Sequence, residues 1–166
     1  KKGLGKFPCK HVHEYIAVEG PTAELTTPYI HHNYESVSQF LRKLDTIYTE
    51  NEVTNHIASG YQLAWYDAIR FPVSDFVKVF FAQEGYKDGL HGLVLGMLQA
   101  FYSFIVFAKL WEKEKFEQKE VTLPALHSEF HRAAGEVGYW DRTARMKEAN
   151  NPLTKLSLKL QRKLFK

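Results

Sequence analysis

Residues 90–110 read L-H-G-L-V-L-G-M-L-Q-A-F-Y-S-F-I-V-F-A-K-L and hold no charge before Lys109. That length approaches the roughly 20 apolar residues that cross a bilayer as a helix. His91, Gln99 and Ser103 dilute the stretch, and Gly92 and Gly96 loosen it. Three readings stay open: a buried core helix, a helix lying in a membrane interface, and a true span.

Upstream, Asp88-Gly89 marks a turn, and Gly85 is the expected stop of an earlier helix. Val73, Phe76, Val77, Phe80 and Phe81 give an aromatic stripe at i, i+3, i+4, i+7 and i+8. Pro72 suits the first turn of that helix, where its missing N–H is harmless. Further back, Ser36 and Gln39 form an S-x-x-Q capping box that opens a helix. Val37, Phe40, Leu41, Leu44, Ile47 and Tyr48 follow at helical spacing, and the pattern continues more weakly to Gly60. Before Ser36 the chain reads as two strands joined by the turn Gly20-Pro21. One strand lies around Val12–Val18, the other over Glu24–Ile30.

Downstream, Trp111–Glu120 is densely charged and reads as a solvated helix. Gly135 and Gly138 interrupt the pattern over Leu123–Arg145, which also carries His127 and His131 at helical i, i+4 spacing. These two histidines lack the adjacent Glu of a zinc-protease helix and read as surface residues. Leu153, Leu156, Leu160 and Leu164 recur at steps of three or four, with basic residues on the other face. From Asn151 to Lys166 there are five basic residues (Lys155, Lys159, Arg162, Lys163, Lys166) and no acidic one. Such a helix binds anionic lipid or a partner groove, or docks with a solvated face.

The whole chain of 166 residues, 45% hydrophobic, is long enough for one core and too short for two full domains. Its composition excludes disordered and collagen-like classes. A single cysteine, Cys9, excludes an intrachain disulfide framework and fits a reducing compartment. The net charge of +3 is too modest to argue for nucleic acid, and no nucleic-acid partner is expected. The chain does not begin with Met, and residues 1–10 lack the apolar run of a signal peptide. A truncated start is the expectation.

The densest polar cluster is His11-Val12-His13-Glu14 with His31-His32. On a strand, His11 and His13 share a face and Glu14 takes the other. Imidazoles suit zinc, copper, iron or nickel, so a small His-based metalloprotein is one alternative. Exposed or hydrogen-bonded histidines are the other reading of the same residues. Glu14 has the chemistry of a general base toward a substrate hydroxyl. Neither a G-x-S-x-G elbow nor a Gly-rich phosphate loop is present.

The order of segments adds more than any one of them. K-F-P-C-K-H-V-H-E-Y-I is followed by E-G-P-T-A-E-L and P-Y-I-H-H-N-Y-E-S-V-S-Q-F-L-R-K-L. Then come F-P-V-S-D-F-V-K-V-F-F, G-Y-K-D-G-L-H-G-L and A-F-Y-S-F-I-V-F-A-K-L-W. Over about Lys6 to Trp111 this series resembles the C-terminal part of family-2 glycosyltransferases, in the branch that builds lipopolysaccharide core and related cell-envelope glycans. The resemblance implies an α+β, mostly α chain. A short N-terminal β-hairpin would be the remnant of a GT-A domain, with amphipathic and apolar helices after it. Residues 1–34 would be the edge of the catalytic domain, 35–111 an acceptor- and membrane-side helical region, and 112–166 a charged helical extension.

The resemblance also implies sugar transfer from a nucleotide-sugar donor to a lipid-linked or glycan acceptor, with a divalent metal (Mg or Mn) in the full-length enzyme. His13-Glu14 matches the family's H-E pair, with Glu14 as the base at the acceptor. His31 matches the isolated histidine that helps bind the metal–diphosphate. Asp88, Gly89 and Gly92 match a D-G-x-x-G turn before the membrane-facing helix. One departure stands out: the sequence contains no D-x-D. As a fragment without the donor half, the chain alone is expected to be inactive. Its expected place is the cytoplasm, peripheral to the inner face of the cell membrane. A non-catalytic helical membrane-associated or partner-binding module remains the other alternative.

Overall fold

The computed structural model describes residues 5–7, 15–23, 26–28, 30 and 34–163. The fold is α+β and mostly α. The chain divides into two compact units, Lys1–Ser59 and Gly60–Lys166.

In the first unit, β1 (Gly5–Lys6) pairs antiparallel with β2 (Ala17–Val18), Gly5 opposite Val18. The partner of the Val18 strand therefore lies upstream. Among the described residues of the expected second strand, Thr26, Thr27, Pro28 and Ile30 carry no strand. Pro28 removes a ladder donor there, whereas Gly5 leaves room beside Ile16 for a close pairing.

The helix opened by Ser36 runs as α1 (Val37–Lys43), a π-helical turn over Leu44–Tyr48 and α2 (Thr49–Ala58). Ser36 Oγ accepts from Gln39 N at 3.1 Å. Gln39 Oε1 accepts from Glu35 N at 2.8 Å, one residue earlier than a standard capping box. Fully buried Thr49 donates its hydroxyl to the Leu44 carbonyl at 2.8 Å, giving a partner to a group at the π-turn. Leu44 and Val53 are buried with it.

The second unit is helical. α3 (Asp67–Val77) begins one turn before Pro72, which sits inside the helix. The helix therefore does not start at Pro72, as expected, but at Asp67. Asp67 anchors the true start: its Oδ2 accepts from Ala64 N at 2.8 Å and from Tyr61 OH at 3.0 Å. α3 continues through a π-helical turn, Lys78–Ala82. The reversal that follows falls on Glu84 (φ 62), just before the expected stop at Gly85. A 3₁₀ turn, Gly85–Asp88, leads into α4 (Gly89–Lys113).

α4 buries Gly92, Gly96, Ser103, Val106 and Leu110. The ring of Phe76, stacked on that of Phe80 at 5.3 Å, and the Phe80 Cβ lie on α4 where Gly96 presents no side chain. The expected solvated helix at Trp111–Glu120 ends at Lys113. Lys115 and Phe116 are both left-handed at φ 56, and the chain runs on without helix to Thr122. Phe116 packs edge-on against Trp111 at 5.2 Å. α5 (Leu123–Glu148) is capped by Thr122, whose Oγ1 accepts from Ala125 N at 3.3 Å. It passes unbroken through Gly135 and Gly138, contrary to expectation. Neighbouring helix formers and packing on α3 outweigh a glycine penalty of about 1 kcal/mol each.

α6 (Pro152–Lys163) packs on α5. Its buried residue is Leu158, at 4% exposure. Leu153, Leu156 and Leu160 are exposed at 75%, 55% and 56%.

Candidate functional site

Glu14, His13 and His31, together with His11, His32 and Cys9, lie outside the described residues. Among the described residues no group of three or more His, Cys, Asp or Glu side chains assembles to hold a metal. His127 and His131 are exposed on α5, with their Nε2 atoms 2.9 Å apart. Two imidazoles alone fall short of a closed metal site. Asp88 ends the 3₁₀ turn, Gly89 (φ 59) starts α4, and Gly92 lies inside α4 against the Gly85 carbonyl.

The polar clusters of the second unit pair mostly with one another, although Arg132 Nη2 is buried without a hydrogen-bond partner. Arg70 makes a two-point contact with Glu129, at 2.9 and 2.5 Å. Arg132 donates to Glu129 at 2.8 Å and to Glu136 at 3.0 Å. The Arg70 hydrogen bonds, helped by Arg132, hold the Glu129 carboxyl at about 2, below its usual 4.5. Arg70 also lies over the Tyr66 ring at 3.7 Å. Burial, then the bond to Asp67, pushes the Tyr61 hydroxyl up to about 12. Lys147 and Lys87 hold Glu84 at about 2. Between α3 and α4, Ser103 donates to Asp75, which Gln99 also reaches at 3.3 Å. Paired groups of this kind hold helices together.

One concavity is different. A cleft of about 280 Å³ is lined by Trp65, Phe107, Trp111, Gln118, Lys119 and Val121. Trp111 Nε1 donates to the Glu117 carbonyl at 2.8 Å, fixing the indole at the wall. Lys119 Nζ donates to the Leu63 carbonyl at 2.8 Å and pairs with Glu114 at 2.8 Å. The one cation is therefore neutralised, and the walls are aromatic and aliphatic. Such a surface suits an uncharged ring or chain and not a diphosphate. Sequence reading missed it, because its residues come from three separated segments that share no spacing.

The molecule is thus a mostly helical α+β protein with a small aromatic cleft. No family model and no solved structure matches the chain. Among curated proteins it is 23% identical over 120 residues to the lipopolysaccharide core biosynthesis glycosyltransferase LpsC of Rhizobium meliloti (strain 1021). The match covers 72% of this chain and 44% of that protein, so the chain spans less than half the length of the curated relative. The similarity supports a relationship to a glycosyltransferase.

Proposed function

We propose that the chain is the acceptor- and membrane-side segment of a glycosyltransferase of the family-2, GT-A type. Its substrates are a nucleotide sugar and a lipid-linked or cell-envelope glycan such as lipopolysaccharide core. The observation that carries this reading is the similarity to a lipopolysaccharide core glycosyltransferase across 72% of the chain.

In the proposed reaction the acceptor hydroxyl oxygen forms a bond to the sugar's anomeric carbon. The bond from that carbon to the diphosphate breaks, and the nucleoside diphosphate leaves. Glu14 takes the acceptor proton, for which it must lie within about 3 Å of the hydroxyl. His13 is its sequence neighbour in the H-E pair, and His31 is the proposed contact to the metal–diphosphate. A Mg or Mn ion, when bound, would supply the positive charge that the leaving diphosphate needs. By the family resemblance, His31 and donor-side residues would hold that ion.

A place in the cytoplasm, at the inner face of the membrane, completes the proposal. The membrane contact, though not the side of the membrane, draws support from α4. Residues 85–113, which include it, are long and apolar enough to cross a membrane, and only 22% of the most apolar stretch is buried. Leu90, Val94, Met97, Phe101 and Phe104 are exposed along one side of it.

Glu14→Gln in the complete enzyme is the test. Sugar transfer is expected to fall by about 10²-fold or more, the scale of general-base catalysis, with donor binding nearly intact. Transfer at the wild-type rate would remove Glu14 from the base role.

A further inference from the structure

We propose that α6 binds an anionic lipid bilayer through the side it turns away from α5, while a separate set of contacts holds it to the protein. This deepens the membrane-surface part of the function proposed above and rests on it.

The two sides of α6 have different chemistry. Toward α5, Leu158 is buried. Arg162 lies over the Tyr139 ring at 5.1 Å and donates to Thr143 Oγ1 at 3.3 Å. The outward side carries Leu153, Leu156 and Leu160 at i, i+3 and i+7, all more than half exposed. Lys155, Lys159 and Lys163 form an i, i+4, i+8 row beside the leucines, and all three are exposed. The start of the helix is fixed by Asn151, whose Oδ1 accepts from Leu153 N at 2.8 Å. Thr154, Ser157 and Gln161 flank the leucines on the other side and carry no charge.

Charge selects the occupant. No acidic residue falls between Asn151 and Lys166. The exposed cations of the helix are lysines, point charges on flexible stems that reach headgroups while their methylenes stay in the acyl boundary. Arginine, the residue suited to two-point recognition of carboxylates on a partner protein, occurs once in α6 and faces inward. Three leucines beside a lysine row match a helix lying in the headgroup plane of an anionic membrane.

The test is flotation of this chain with vesicles of phosphatidylcholine alone or of phosphatidylcholine with phosphatidylglycerol. Binding is expected only with the anionic lipid and is expected to weaken as salt rises. Lys155→Glu, Lys159→Glu and Lys163→Glu together should lower partitioning by about a hundredfold or more, given about 1 kcal/mol per lysine near such a surface. Leu156→Ser with Leu160→Ser should also release the chain, at unchanged helix content by circular dichroism. The milder Lys155→Gln, Lys159→Gln, Lys163→Gln set serves if the reversed charges perturb folding, and should weaken binding in the same direction.

Three results would overturn the inference: equal binding to both vesicle types, full binding by the lysine variants, or no vesicle binding at all. In the last case, sedimentation equilibrium showing a dimer lost in the leucine variant would assign the stripe to a second copy. No sugar donor enters the assay. Lost vesicle binding with a sound Glu14→Gln result sinks only the role of α6. The reverse pattern sinks only the role in transfer.

Discussion

Helices α4 and α6 both turn bulky apolar side chains outward, but they are held to their neighbours in different ways. α4 buries mostly small residues, and that is what lets α3 and the Gly85–Asp88 turn approach it closely. Its exposed side, Leu90, Leu93, Val94, Met97, Phe101 and Phe104, is large and carries no charge. α6 is attached through Leu158 and Arg162, and its exposed leucines lie beside a row of lysines. A face with no charge suits apolar surroundings, whereas one beside lysines suits the boundary between water and an anionic surface. The sequence pattern of both helices is apolar periodicity. Only contact shows which apolar residues pack inward.

The largest expected effect breaks the inner side of α4. A Cβ at Gly92 would overlap the carbonyl oxygen of Gly85, a backbone atom that cannot swing away. Gly92→Ala should therefore destabilise the protein by about 3 kcal/mol, in the range of overpacking. The gain in helix propensity, about 1 kcal/mol, is too small to offset that. Urea denaturation would read the loss as a lower midpoint at unchanged slope. A neutral or stabilising result would mean that α4 and the Gly85–Asp88 turn are not in close contact.

On its other side α3 meets α5, and charge marks that seam where shape marks the first. Glu129 is held at about 2 by Arg70 and Arg132, below its usual 4.5. A depressed carboxyl contributes stability that is present above about 4.5 and is lost as pH falls toward about 2. Because Arg70 is more than a third exposed, screening cuts the contribution to about 1 kcal/mol. Arg70→Met should lower the thermal midpoint at pH 7 by a few degrees and by much less at pH 2. Some acid loss should persist in the variant, since Arg132 still reaches Glu129 and Glu84 titrates in the same range. An equal drop at both pH values would assign Arg70 a packing role over Tyr66.

Local signals in the sequence reached the structure well where one element sufficed. Ser36 and Gln39 opened α1, and the uncharged run from Leu90 became α4. Signals that depend on a second element did not. Pro72 reads as a helix start, but Asp67, held by Tyr61 and Ala64, sets the start a turn earlier. Gly135 and Gly138 read as breaks, yet α5 is continuous. In α6 the leucine repeat points to an apolar face without saying that Leu158 is the residue that docks. The aromatic cleft needed Trp65 and Trp111 to be brought together by packing. The H-E pair and His31 were singled out by the order of motifs alone, and they lie outside the described residues.

The smallest expected effect sharpens the comparison most. Leu90 and Met97 on α4 are 77% and 58% exposed, so their side chains already face water. Glutamine has nearly the same helix propensity as either. Leu90→Gln with Met97→Gln should leave stability within about 0.5 kcal/mol of wild type, the usual range for surface changes. Val106, 2% exposed on the inner side of the same helix, gives the contrast. Val106→Ala should lower stability by about 2 kcal/mol, for lost burial plus the cavity left behind. If the glutamine pair were as damaging as Val106→Ala, the outer face of α4 would be covered in the isolated chain. The difference between α4 and α6 would then collapse to the lysine row alone.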